Sequence, residues 1–263
     1  MLKKRLVPKL LIKHRQLGRV VRPVLVTTRA FREAVEVGDA VSQAKIYEAQ
    51  LADELVVLNI DGTPIGDDEL MLGLIERLAA ETFMPLAVGG GVRTLGDFGK
   101  LLEFGADKVS VNTAALARPG LIGEAAARYG AQCVVVSVDF RCGDDGRPMV
   151  MREHAAQPTG RALLDWCREA VDRGAGELLV SDADRDGSGL GLRAEIAAEV
   201  SASVSVPVIF SGGCGRAEHF AEGFLRGGVE GVAAGTYFCF RDQNPMQTRA
   251  HIRNAGVPIR MET

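Results

Sequence analysis

Apolar runs recur along the chain at regular intervals, separated by patterns with a helical period. The runs at 6–12, 54–60, 86–88, 108–111, 133–138, 177–183, 208–210 and 231–234 are short and nearly continuous in apolar character. Continuity rather than alternation is the pattern of parallel strands buried on both faces. Between them, 69–81, 95–104, 120–129, 162–173 and 218–225 read as helices. Eight β/α units predict an α/β fold, a single (β/α)8 TIM barrel over 1–263. A doubly wound open sheet is the structural alternative. No linker or low-complexity stretch divides the chain.

The pattern also repeats within itself. A shift of 122 positions places Pro85 on Pro207, Gly90-Gly91 on Gly212-Gly213, Phe98 on Phe220 and Gly105 on Gly227. A shift of 123 places Ala52-Asp53-Glu54-Leu55-Val56-Val57 on Ala175-Gly176-Glu177-Leu178-Leu179-Val180 and Asp61 on Asp184. Two four-unit halves close a barrel with two-fold pseudo-symmetry, which favours the barrel over the open sheet. In a barrel, strand C-terminal ends face the catalytic mouth and strand starts face the base.

Composition narrows the function. A net charge of −3 without basic runs argues against nucleic acid as a partner. No apolar stretch is long enough for a membrane span, and the basic start Met1–Lys9 lacks the apolar core of a signal peptide. Five cysteines without a CxxC suit buried thiols in a reducing cytoplasm. Four histidines share no ligand spacing, so neither a metal nor a cofactor is expected.

Chemistry concentrates at strand ends. Glycines there let backbone N–H groups approach an anion. Gly90, Gly91, Asn112 and Thr113 form one expected cradle. Gly212, Gly213, Gly235 and Thr236 form the other, with Asp186, Gly187 and Ser188 adding donors. Two cradles suit a phosphorylated small molecule with two anionic groups; tight connections are the plain alternative. Asp139 closes the apolar run Val134–Val138 and is the expected general acid–base, where a low-dielectric rim lifts its pKa. A structural capping role is the alternative there. Asp184-Arg185-Asp186-Gly187 also reads as a turn with an internal ion pair. At the base, Arg5, Glu54, Lys108 and Glu177 stand at strand starts, either as ordinary solvated charges or as a ring closing the axis.

Lys4-Arg5-Leu6-Val7-Pro8, Val88-Gly89-Gly90-Gly91, 105–115, Asp184-Arg185-Asp186-Gly187 and Ser211-Gly212-Gly213 resemble, over nearly the whole chain, the HisF family. These are the cyclase subunits of imidazole glycerol phosphate synthase and their relatives. The resemblance implies ammonia received from a HisH-like glutaminase in a heterodimer, entering past a charged gate that corresponds to Arg5, Glu54, Lys108 and Glu177. It implies a bisphosphate substrate at the mouth and two catalytic aspartates, at the ends of the first and fifth strands. Asp139 matches the second. The family's first-strand pattern Pro-Cys-Leu-Asp-Val-Lys is Pro8-Lys9-Leu10-Leu11-Ile12-Lys13 here, and leucine cannot transfer a proton. Leu10-Leu11, Phe83-Met84-Pro85 and Arg253-Asn254-Ala255-Gly256 resemble a divergent HisF-like branch found with surface-polysaccharide genes. For that branch the resemblance implies a separate ATP-dependent amidotransferase and conversion of a sugar-linked amide to an amidine. The alternatives are the histidine-pathway cyclase and a non-catalytic scaffold that activates the glutaminase.

Overall fold

The structure, a computed structural model, describes residues 3–240 and 244–259. The chain opens with β1 (Arg5–Leu17), β2 (Val20–Arg29), β3 (Glu33–Gly38), α1 (Ala40–Ala49), β4 (Leu55–Asn59), α2 (Glu69–Glu81), β5 (Leu86–Gly89), α3 (Leu95–Glu103) and β6 (Lys108–Val111). It continues through α4 (Thr113–Ala117), α5 (Gly120–Tyr129), β7 (Val134–Cys142), β8 (Pro148–Arg152), β9 (Gln157–Ala162) and α6 (Leu163–Asp172). The last part holds β10 (Glu177–Asp182), α7 (Ala194–Ser203), β11 (Val208–Ser211), α8 (Ala217–Leu225), β12 (Gly231–Ala234), α9 (Thr236–Phe240) and α10 (Pro245–Asn254).

Eight parallel strands close on themselves in the order β1, β4, β5, β6, β7, β10, β11, β12 and back to β1. The β12–β1 and β7–β10 pairings leave no edge in this ring, which excludes the open sheet. Strand alternation divides the apolar residues. Val7, Val56, Ala87, Val135, Leu179, Ile209 and Ala233 pack together on the axis. Their neighbours Leu6, Leu55, Val57, Val134, Leu178 and Val208 join the larger core beneath the helices. Both faces are dry, which is why the strand sequences do not alternate.

Local signals place the helices. Asp68 caps α2 by accepting from the Met71 amide at 3.0 Å. Thr94 and Asp97 form a reciprocal capping box on α3, and Asn244 and Gln247 form one on α10. No described helix is long and apolar enough to cross a membrane.

Two features lie outside the sequence-based expectation. β1 runs past the rim and pairs antiparallel with β2, which pairs with β3. β7 does the same with β8 and β9. Each half-barrel thus carries a projecting ribbon after its first strand. β3, β9 and the outer half of β2 are open to solvent, so charged and apolar residues mix there, whereas residues 24–28 of β2 are buried.

Candidate functional site

The axis is a stack of side-chain tiers, because every second strand residue points inward. The lowest tier is charged. Arg5 Nη1 donates to Glu54 Oε2 at 2.6 Å, and Arg5 Nη2 donates to Glu177. Lys108 Nζ donates to both carboxylates at 2.8 Å. Alternating signs give each charge two opposite neighbours. Glu54 and Glu177 are buried, and a buried carboxylate persists only with such partners. Burial pulls the Arg5 pKa down, but Glu177 and Glu54 outweigh it and leave it raised. The four strand-start charges therefore form a closed ring rather than four solvated ends.

Above the ring sits the apolar collar of Val7 and its partners. The next tier is polar. Ser110 and Ser137 share a hydrogen bond at 2.8 Å, and Ser181 and Ser211 are buried at the same level of their strands. Lys9 belongs to this tier. It is 5% exposed, donates from Nζ to Ser211 Oγ at 3.0 Å and lies 5.8 Å from the centre of the Phe31 ring. Sequence reasoning names Lys9 only as a departure from the family pattern. The available signal is its parity: Arg5, Val7 and Lys9 are alternate residues of one buried strand, so a lone cation there points to the axis.

Asp139 lies at the mouth, two residues above Ser137 on β7. Its Oδ2 accepts from Asn112 Nδ2 at 2.7 Å. Burial pushes the Asp139 carboxyl up to about 6, against the pull of Lys9 and Asn112, with Asp186 adding to the rise. Such a group exchanges protons near neutral pH. Among the described residues, none is a hydrogen-bond partner of the buried Asn112 Oδ1. On the opposite strand Leu11 packs with Val24 and Val26 of the ribbon and with Leu58 and Ile60, so the first-strand end is apolar.

The glycine pairs sit in matching places. A Cβ on Gly90 would stand 1.9 Å from the Asn59 carbonyl oxygen, and one on Gly212 would stand 2.4 Å from the Asp182 carbonyl oxygen. Each pair presses against the end of the preceding strand, so the tight-connection reading accounts for the residue type. Gly212 and Gly213 also line a hollow with Lys9, Ser211, Gly235 and Thr236, and Asp186 and Gly187 stand at its wall. Ser188 is turned away, its hydroxyl donating to the Arg185 carbonyl at 2.8 Å. Asp186 is an acceptor there rather than a donor: Thr28 Oγ1 donates to it at 2.6 Å. Thr113 opens α4 directly after Asn112, at the end of β6.

The half-barrel relation reaches individual hydrogen bonds. Asn59 Oδ1 accepts from the Asp61 amide at 2.9 Å, as Asp182 Oδ1 accepts from the Asp184 amide at 3.1 Å. The Asp61 carboxylate takes the His14 amide of β1, as Asp184 takes the Cys142 amide of β7. Asn59 then donates to Asp68, whereas Asp182 receives Arg193 at 2.8 Å. The internal ion pair expected within 184–187 is absent. Arg185 donates to the Gly191 and Leu192 carbonyls, and Asp184 pairs with Arg141 at 2.7 Å. Arg141 and Arg193 come from other elements, so adjacency in sequence misled.

A family model described as histidine biosynthesis protein matches residues 5–244. The chain is 46% identical, over 100% of both chains, to a protein provisionally described as imidazole glycerol phosphate synthase subunit hisF2 from Prochlorococcus marinus. It is 44% identical to imidazole glycerol phosphate synthase subunit HisF of Gluconacetobacter diazotrophicus, over 99% of this chain and 97% of that one. With the closed barrel and the repeated half-barrel motifs, these matches place the chain in the histidine biosynthesis protein family, among its HisF-type synthase subunits.

Proposed function

We propose that this chain is the ammonia-using cyclase subunit of an imidazole glycerol phosphate synthase acting in histidine biosynthesis. The observation that carries the reading is Asp139. A carboxyl with a pKa of about 6 at the barrel mouth, oriented by Asn112, suits proton transfer during ring closure. The names of both relatives support the same function, and they rank it above the polysaccharide reading. In this proposal a HisH-like glutaminase docks at the base. The ring of Arg5, Glu54, Lys108 and Glu177 is the ammonia gate, and the two glycine cradles hold the phosphates of the substrate.

A single carboxylate then serves both proton steps. Asp139 removes a proton from the nitrogen adding to the substrate carbonyl as a base and delivers it as an acid to the hydroxyl that leaves as water. Asn112 fixes the Oδ2 orientation, and the Oδ1 of Asn112 is free to accept from the substrate.

One observation favours a second reading, amidation of a sugar-linked amide with a separate ATP-dependent amidotransferase. Leu11 is built into an apolar cluster where the family pattern has its other aspartate. Ammonia-dependent turnover of the bisphosphate cyclase substrate at alkaline pH separates the two. Turnover that is lost in Asp139→Asn supports the cyclase. A folded chain that turns nothing over removes it and leaves the amidation reading.

A further inference from the structure

The ammonium of Lys9 has three donors, and among the described residues only Ser211 Oγ accepts from it. No carboxylate lies within ion-pair distance of it among the described residues, although the side chain is almost wholly enclosed. Burying a cation with donors unfilled is costly, and the pull of Lys9 on the Asp139 carboxyl fills none of those donors. The Phe31 ring is a weak partner at 5.8 Å. Lys9 and its partner Ser211 line a hollow bounded by Gly212, Gly213, Gly235 and Thr236. Asp186 stands at the wall of that hollow and would repel an anion, so Lys9 is the charge that makes the hollow receptive.

We propose that Lys9 is a substrate-binding residue that sets specificity for a phosphate group, its ammonium meeting the innermost oxygen of a phosphate seated in the Gly212-Gly213 hollow. The half-barrel relation sharpens this. The counterpart of Lys9 on β7 is Ser137, which is engaged with Ser110, so the other cradle has no such cation beneath it. The two cradles are therefore unequal: one is a strong phosphate site and the other a weak one. The inference deepens the mouth's role in the proposed function, but its test does not depend on turnover.

Calorimetric titration of the full chain with inorganic phosphate at constant ionic strength tests it. Wild type is expected to show a saturable tight site. Lys9→Met is expected to weaken that site at least tenfold. Lys9→Gln keeps a donor for Ser211 and is expected to lose affinity too, which covers a misfolded Lys9→Met. Lys45→Met, an equal charge change on exposed α1, should leave binding unchanged. Unaltered phosphate affinity in both Lys9 variants overturns the proposal, as does a wild-type chain that binds no phosphate. A chain that binds phosphate through Lys9 yet turns nothing over defeats the cyclase reading and leaves this one standing.

Discussion

In the proposed function, Asp139 couples chemistry to stability. Its carboxyl moves from the ordinary 3.8 to about 6 on folding. The native state therefore binds more protons than the unfolded state between these values, and stability falls as pH rises through that window. Above pH 6 the penalty is complete. Asp139→Asn should accordingly raise stability at pH 8 by about 1–3 kcal/mol and leave it little changed near pH 4. The same substitution should lower turnover by roughly 10²–10⁴-fold. Urea unfolding at the two pH values checks the first part, and a variant no more stable at pH 8 would show that the ionised carboxylate is not penalised there. Asp139 was legible in the sequence as a carboxylate closing an apolar run. Lys9 was not, because a single cation inside a strand carries no spacing of its own and acquires meaning only once inward parity is known.

At the scale of elements, the barrel strands were legible and the ribbons were not. A strand buried on both faces writes a continuous apolar run; β3 and β9 write none, and β2 writes only the short Val24-Leu25-Val26. The ribbons nonetheless position the mouth. Arg141 Nη2 donates to the Ala30 carbonyl in the β2–β3 turn at 3.0 Å, and its Nε donates to the Ala155 carbonyl in the β8–β9 turn at 3.0 Å. The third contact is the ion pair with Asp184. Phe31 packs on Met151, Ala155 and Ala183, so the two turns meet over one side of the rim. Both turns hold non-glycine residues at positive φ, Ala30 and Phe31 in one and Glu153, His154 and Ala155 in the other. Such turns persist when their surroundings hold them. Arg141→Ala should release both, and amide hydrogen exchange at 30–32 and 153–156 should quicken together by roughly tenfold or more, consistent with loss of hydrogen bonds worth about 1–3 kcal/mol. Quickening in one turn alone would mean that Arg141 does not join them.

At the scale of the molecule, the two halves agree in backbone and diverge in side chains. Gly90 and Gly212 meet the same obstacle, and Asp61 and Asp184 take the same amide, yet Leu11 stands opposite Asp139 and Lys9 opposite Ser137. Repetition in the sequence made the architecture readable, and the residues of the proposed chemistry are departures from it. The base ring ties the halves together, since Arg5 and Lys108 of the first half each bridge Glu54 to Glu177 of the second. Glu54→Gln leaves two cations with one full counter-charge and should cost about 2–4 kcal/mol, tempered by the solvent access of Lys108. Chemical denaturation measures it; a loss below about 0.5 kcal/mol would make the ring an ordinary surface cluster.

That ring carries two positive and two negative charges, and the collar above it carries only hydrocarbon. The pairing leaves the ring itself without net charge. On the proposed route the collar would strip water from a solute following the axis, a step that costs an ion many times more than a neutral molecule. On the ammonia route of the proposed function, such an interior would act as a dielectric sieve that sorts solutes by protonation state before size: a small amine would pass only as its free base, and its flux would follow the unprotonated fraction in solution.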